Sequence, residues 1–384
     1  MKKQENGSVL VLMAGLIIVL TGFAVLAFDV GRIYIVRNEM QNVADSAALA
    51  GANCLVDHPQ PGGSTSNCTD PTATALNWSR ASAKAIAQLG QNTADNRAIS
   101  TTDSGHQVSV GYWDVSIKPE LQPTTLQATT LSPLGQCIVT AGVMGKCDKP
   151  AVMVSITKDT GKNNGPITML TRVMFGGSDV PMTAKAVAVI SSPGTVLPGN
   201  LIPVAINKCM FDLYWDSASN SPKLATSTTL NGVPQVIGQP WEVRIGSSYH
   251  YPNCESGQWT TFGQDVNNVP AVRDLITNGN PTPLSIGDNT WIEPGTKTSL
   301  YNDLSAKYPT PPGADVIVVV VDQSSGWSTN AQTPIVAFAG FHIDDIQGGS
   351  NKYIQGHFTQ GITASGSSWI GPYYGTYTPP RLAN

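Results

Sequence analysis

Twenty consecutive residues, Val9 to Phe28, carry no charge, and Asp29 is the first to end the run. Coiled as an α-helix at about 1.5 Å per residue, the run measures roughly 30 Å, the hydrocarbon thickness of a bilayer. A cleaved secretory signal has a shorter apolar region, about 7–15 residues, and closes on a small-x-small cleavage site. Here "FDVGRIYIVRNEM" follows with no helix breaker other than Gly31. The pattern predicts a retained membrane helix, and everything after it must lie on one side of that membrane.

The helical pattern does not end with the apolar run. Val30, Ile33, Met40, Ala44, Ala47 and Gly51 recur at steps of three, four and seven, which places them on one helix face. Arg32 and Glu39 are expected on the other side, and Arg37 interrupts the stripe. Toward residue 52 the face is built of Ala and Gly, small enough to let a backbone approach closely. Two occupants fit such a face: a neighbouring helix, or the protein's own globular part. Periodicity shows that a face is covered and not by what.

Charged residues make up 12 % of the 384 residues, about half the usual share. Gly and Pro are plentiful at 37 and 27. This profile indicates a turn-rich, largely β body outside the cytoplasm. A net charge of −4 without any basic cluster excludes nucleic acid as a partner. The six cysteines, Cys54, Cys68, Cys137, Cys147, Cys209 and Cys254, form no CxxC pair. An even number in a chain that enters a membrane favours disulfides in an oxidising compartment. Sequential pairing (54–68, 137–147, 209–254) closes the shortest loops. Charge alone ties on topology, with Lys2 and Lys3 before the span and Arg32 and Arg37 after it. The cysteines break the tie. Residues 1–7 are expected in the cytoplasm and the body on the oxidising side.

The fold class expected is α+β, with five parts. These are a leader (1–7), a transmembrane helix extended as a rod (8–52), an α+β domain (53–190), a linker (191–200) and a mainly β domain (201–384). In the first domain, Asp70-Pro71 reads as a helix start and Gly90 as its stop. Strand patterns cover 107–117, 150–159 and 180–192, and "GPITMLTRVMFG" (165–176) reads as a short amphipathic helix. "SSPGTVLPGN" (191–200) has the composition of a linker. Beyond it, short apolar runs such as "LIPVAI", "GQWTTF", "DVIVVVVD" and "TPIVAFAGFHI" alternate with turns.

No catalytic constellation emerges. "VIVVVVDQSSG" (316–326) delivers Asp322, Ser324 and Ser325 to a strand end, as a metal-dependent adhesion site does, but Gly326 occupies the place of its last serine. Asp, Ser and Gly are also ordinary turn residues. "PGTKTS" (294–299) has the tail of a phosphate loop, with Thr290 where its first glycine belongs. The five histidines are scattered, and "HIDD" (342–345) is a faint metal signal. No residue is assigned to catalysis, to a cofactor or to a metal, and none of the three is expected.

In order, "NGSVLVLMAGLIIVL", "AFDVGRIYIVRNEMQNVADSAALAGA", "VSVGYWD", "AVMVSIT", "AKAVAVI" and "VAFAGFHI" resemble the TadG-like proteins. These belong to the TadE/TadG group of the tight-adherence (Tad, or Flp) pilus system of bacteria. The resemblance is most specific over residues 7–52. It implies a pseudopilin-like protein held in the inner membrane, with other pilin-like or pilus-assembly proteins as partners and a role in building, anchoring or capping an adhesive pilus. Prepilin processing cuts after a glycine, which Gly7-Ser8 would supply. The fifth mature residue would then be Leu12, where pilins usually carry Glu, and this departure leans toward permanent anchoring. The same composition also fits a membrane-tethered envelope protein whose β domain binds a glycan or protein without a filament.

The topology is directly testable. Protease added to intact spheroplasts is expected to digest the body; digestion only after lysis would reverse the orientation.

Overall fold

The computed structural model describes residues 6–56, 68, 77–114, 139–140, 143–144, 148–217, 221–246, 248–252, 254–295, 297–323, 327–368 and 372–383. Helix α1, Asn6–Asn53, runs without a break through the apolar stretch and beyond it. From Val36 onward it belongs to the body. Val36, Met40, Val43, Ala44, Ala47, Ala48 and Ala52 are all buried. Full burial of side chains the size of Val36, Met40 and Val43 stabilises by about 1.5–3 kcal/mol each.

The cover over this half of α1 is a helix and a sheet. Helix α2, Trp78–Gly90, opens where the Asn77 side chain accepts the Arg80 N–H at 3.1 Å and ends at the expected Gly90. The expected start at Asp70-Pro71 lies outside the described residues. Strands β1 (His106–Asp114), β2 (Asp148–Lys158) and β3 (Met182–Ser191) pair antiparallel in sequence order. Val152, Val154 and Ile156 of β2 and Ala184, Ala186, Ala188 and Ile190 of β3 join the core that holds α1. The opposite sheet face gathers a small cluster of Trp113, Ala151, Met153 and Val187. Helix α3, Leu170–Phe175, lies in the connection between β2 and β3 and is shorter than the pattern over 165–176 suggests.

The stretch expected as a linker is structured. Strand β4, Pro193–Val196, pairs on one side with Leu284–Ser285 and on the other with Gly366–Ser368. Its Val196 is fully buried, and Thr195 and Ser285 share a hydroxyl hydrogen bond of 2.8 Å. Pro and Gly gave the segment a loop-like composition, but partners on both edges supply the hydrogen bonds that composition cannot foretell.

Beyond it come β5 (Leu201–Asn207), β6 (Glu242–Ile245), β7 (Gly257–Phe262), β8 (Asn289–Ile292), β9 (Ala314–Val321), β10 (Ala331–Gln347) and β11 (Tyr353–Phe358). The sheet order is β6-β11-β10-β8-β7-β5-β9, and β9 pairs again with β10, so five of the strands close into a ring. β10 makes the closure, its first residues on β8, its middle on β9 and its end on β11. Phe262, at φ +54°, marks the bulge at which β7 turns toward β8. Leu201, Ala205, Phe262, Ile292, Ile317, Val319, Val321, Ile335 and Phe338 pack together as the second core. Helices α4 (Lys208–Tyr214), α5 (Val269–Asn278) and α6 (Ser299–Lys307) complete this half. Finally β12, Thr376–Leu382, returns to pair antiparallel with β3.

Gly51 is where α1, α2 and β2 come closest. A Cβ there would lie 2.8 Å from the Ala81 carbonyl oxygen, 2.9 Å from Ala85 Cβ and 3.0 Å from Val152 Cγ1. Gly51→Val is expected to destabilise the detergent-solubilised protein by about 1–3 kcal/mol or more, read as a lowered urea midpoint. Asn38→Val, on the exposed side of α1, should stay within about 0.5 kcal/mol.

Candidate functional site

Helix α1 changes surroundings at Asp29. Below it the side chains from Val9 to Phe28 stand exposed, apart from half-buried Gly22 and Val25. Among the described residues α1 is the one helix long and apolar enough to cross a membrane. The Thr21 hydroxyl donates to the Ile17 carbonyl at 2.7 Å, so the polar group in the run is satisfied within the helix. Above Asp29 the stripe enters the body only from Ile33 onward; Val30, which periodicity set on the same face, is 44 % exposed.

A collar of polar contacts marks the change. Asp29 Oδ1 and Oδ2 accept the backbone N–H groups of Leu170 and Thr171, each at 2.8 Å, satisfying two free donors of α3. Arg32 donates to Asp95 Oδ1 at 2.9 Å and to the Thr168 carbonyl at 2.8 Å. Glu39 Oε2 accepts the Asp95 N–H at 2.7 Å. Lys158, buried beneath, lies 4.0 Å from Asp95 Oδ2 and donates to the Asn163 carbonyl at 2.9 Å. Burial pushes its ammonium below the ordinary lysine value. Higher up, Gln41 donates to Asp45 and to the Lys185 carbonyl of β3. Arg32 and Glu39 therefore flank the buried stripe and reach the body, where periodicity had set them on the far side. These contacts fix both the rotation of α1 and its height against the body.

Residues 7–53 match the family model described as putative Flp pilus-assembly TadE/G-like. The matched residues are α1 itself, exposed half and buried half together. They support a protein of the TadE/TadG group. No curated protein and no solved structure matches the chain.

Within this TadE/G-like segment, Gly7 and Ser8 lie in the first turn of α1. Ile33 is half-buried, Met40, Ala44 and Ala47 are fully buried, and Gly51 is enclosed by α2 and β2. The small-residue face is thus covered by the protein's own helix and sheet. Cys54 is bonded to Cys68 and Cys209 to Cys254. Cys137 and Cys147 lie outside the described residues.

Several titratable groups of the body are paired. Cross-strand register sets Asp315 of β9 opposite His342 of β10, and His342 opposite His357 of β11. His342 Nδ1 lies 2.7 Å from Asp315, His357 Nδ1 lies 2.7 Å from Asp344, and the two rings sit 5.1 Å apart. This ladder explains the "HIDD" signal. Among the described residues no three His, Cys, Asp or Glu side chains are placed to hold a metal ion. Lys297 of the phosphate-loop-like stretch is paired with Glu293 at 2.9 Å. Asp322 closes β9 as expected; Ser324 and Ser325 lie outside the described residues. An open cleft of about 860 Å³ is lined by Asp216, Lys223, Trp241, His357 and Gln360 among others.

The hydrogen bond to Asp315 holds the His342 imidazole above its ordinary value of 6.5; burial opposes the shift, and the Asp315 and Asp344 charges add to it. Protonated His342 therefore stabilises the fold. Its contribution is complete below pH 6.5 and is lost as pH rises through the elevated value. Urea midpoints should show wild type losing ground against Asp315→Asn as pH rises from 6 to 9; a pH-independent difference would contradict the pairing.

Proposed function

We propose that the chain is a membrane-anchored component of a Tad/Flp-type pilus system, acting in pilus assembly, anchoring or capping and in surface adhesion. One observation carries this reading. The segment that matches the TadE/G-like family is at once an exposed apolar span and the central helix of a folded body. A chain built this way holds its body at a fixed height over a bilayer. The disulfides Cys54–Cys68 and Cys209–Cys254 support a body on the oxidising side, periplasmic or at the cell surface, and hence a span in the inner membrane. Gly7-Ser8 is the processing point if the leader is removed, and Cys137 with Cys147 is the remaining pair. Other pilin-like or assembly proteins are the partners of this role.

A second reading, a tethered binder of a glycan or protein, draws on the cleft, where Trp241 offers an aromatic surface beside the polar groups of Asp216, Lys223 and Gln360. Deletion of the gene separates the two. The pilus reading expects both pili per cell, counted by electron microscopy, and adherent cells to fall, with recovery on re-expression of the full chain. Lost adherence with normal pili would favour the binder, and wild-type levels of both would remove the pilus role.

A further inference from the structure

Helix α3 buries none of its residues. Val173 is 76 % exposed, Phe175 59 % and Met174 53 %. Its base is nonetheless fixed. Ile167 and Met169 are buried, and Ile167 and Val180 exchange backbone hydrogen bonds of 2.9 and 3.0 Å, so residues 170–179 form a closed finger on that base. Gly176, at φ +76°, ends the helix and donates to the Arg172 carbonyl. The charged pair of the finger, Arg172 and Asp179, is internal to it.

The finger points along α1 toward its apolar half. Asp29 holds the start of α3, and a Cβ placed on Gly22 would lie 3.9 Å from the Phe175 ring. Gly22 sits six residues inside the outer end of the run at Phe28, about 9 Å of helix. A side chain in contact with Gly22 shares the surroundings of Gly22. Where α1 crosses a bilayer over Val9–Phe28, those surroundings are hydrocarbon.

We infer that α3 is a second membrane-inserted element, sinking Val173, Met174 and Phe175 into the leaflet beside the span and seating the body on the bilayer. The inference rests on the reading of α1 as a membrane span. Its depth agrees with the roughly 5–10 Å to which interfacial helices bury their apolar face. Phe175 meets α1 at Gly22, within the stretch where Phe23, Leu26 and Phe28 are also exposed, so the lipid that covers the span covers the finger too. Asp29, at the junction, is costly to place near hydrocarbon unless its oxygens are occupied; the α3 N–H groups occupy them. Arg172, the one charged residue of α3, stays paired with Asp179, so no unpaired charge accompanies the apolar side chains.

The full-length protein, reconstituted in vesicles of phosphatidylethanolamine and phosphatidylglycerol, tests this with an environment-sensitive fluorescent amino acid. It is placed singly at Ile18 in the span, at Val173 or Phe175 in α3, and at exposed Val236 in the body. Quenching by doxyl-labelled phospholipid is compared with quenching by aqueous iodide. The expected result is that positions 173 and 175 behave as position 18 does, quenched from the lipid and shielded from iodide, while 236 shows the reverse. Iodide quenching at 173 and 175 with lipid quenching at 18 would overturn the inference and leave the span intact. Protection of 173 and 175 from both quenchers would overturn it in favour of a covering protein chain. Iodide quenching at 18 would remove the span reading itself, and the inference with it.

Discussion

The burial of Met40, Ala44, Ala47 and Gly51 beneath β2, β3 and α2 is the contact on which the rest of the molecule depends. Small side chains on this stretch let the sheet and α2 come within van der Waals range of the α1 backbone, and larger ones would hold them off. Because the same unbroken helix supplies the exposed apolar half, body and anchor have no hinge between them. An anchor joined by a flexible linker would leave its domain free to tumble. Here the orientation of α2 and the β2–β3 sheet relative to the apolar half is set by the helix they pack on.

The polar collar serves a different end from the core. The Arg32–Asp95 pair is partly exposed, and pairs of that kind contribute little to stability at ordinary salt. What the collar gives is register. Two N–H groups on one carboxylate, a guanidinium shared between Asp95 and the Thr168 carbonyl, and a second carboxylate on the Asp95 N–H admit only one rotation of α1. Hydrophobic packing is non-directional and would tolerate neighbouring rotations. Directional bonds select among them.

Much of this arrangement was legible in the residues, and what was not follows a rule. Long periodic segments read correctly: α1, α2 to its Gly90 stop, and the strand patterns that became β1, β2, β3, β9 and β10. The short apolar runs that became β5 and β7 read correctly too, but other short elements, whose existence depends on distant partners, did not. β4 reads as a linker until Leu284–Ser285 and Gly366–Ser368 pair with it. α4 packs Met210, Phe211 and Tyr214 into a seven-residue stretch with too few turns to show a period. α6 did carry a helical spacing in Leu300, Tyr301 and Leu304, but its polar neighbours masked it. The covered face of α1 was visible and its cover was not, since a stripe records burial without naming the neighbour. In the collar, the charges were plain in the sequence, but their partners, Asp95 and Thr168 to Thr171, lie more than fifty residues away and meet α1 only through the fold.

β12 gives the molecule an order of assembly. Thr378 reaches back to the Ser191 carbonyl across 187 residues, and β12 joins the edge of the very sheet that shelters α1. Contacts of such long sequence separation form slowly, because the intervening chain must first be gathered. An emerging polypeptide has its membrane helix in place long before residue 382 appears. Until then the sheet over the alanine-rich half of that helix has an unpaired edge at β3, and an open edge invites foreign strands. Docking of β12 is accordingly a late event in folding, and until it happens the β3 edge is the part of this sheet most open to pairing with other chains.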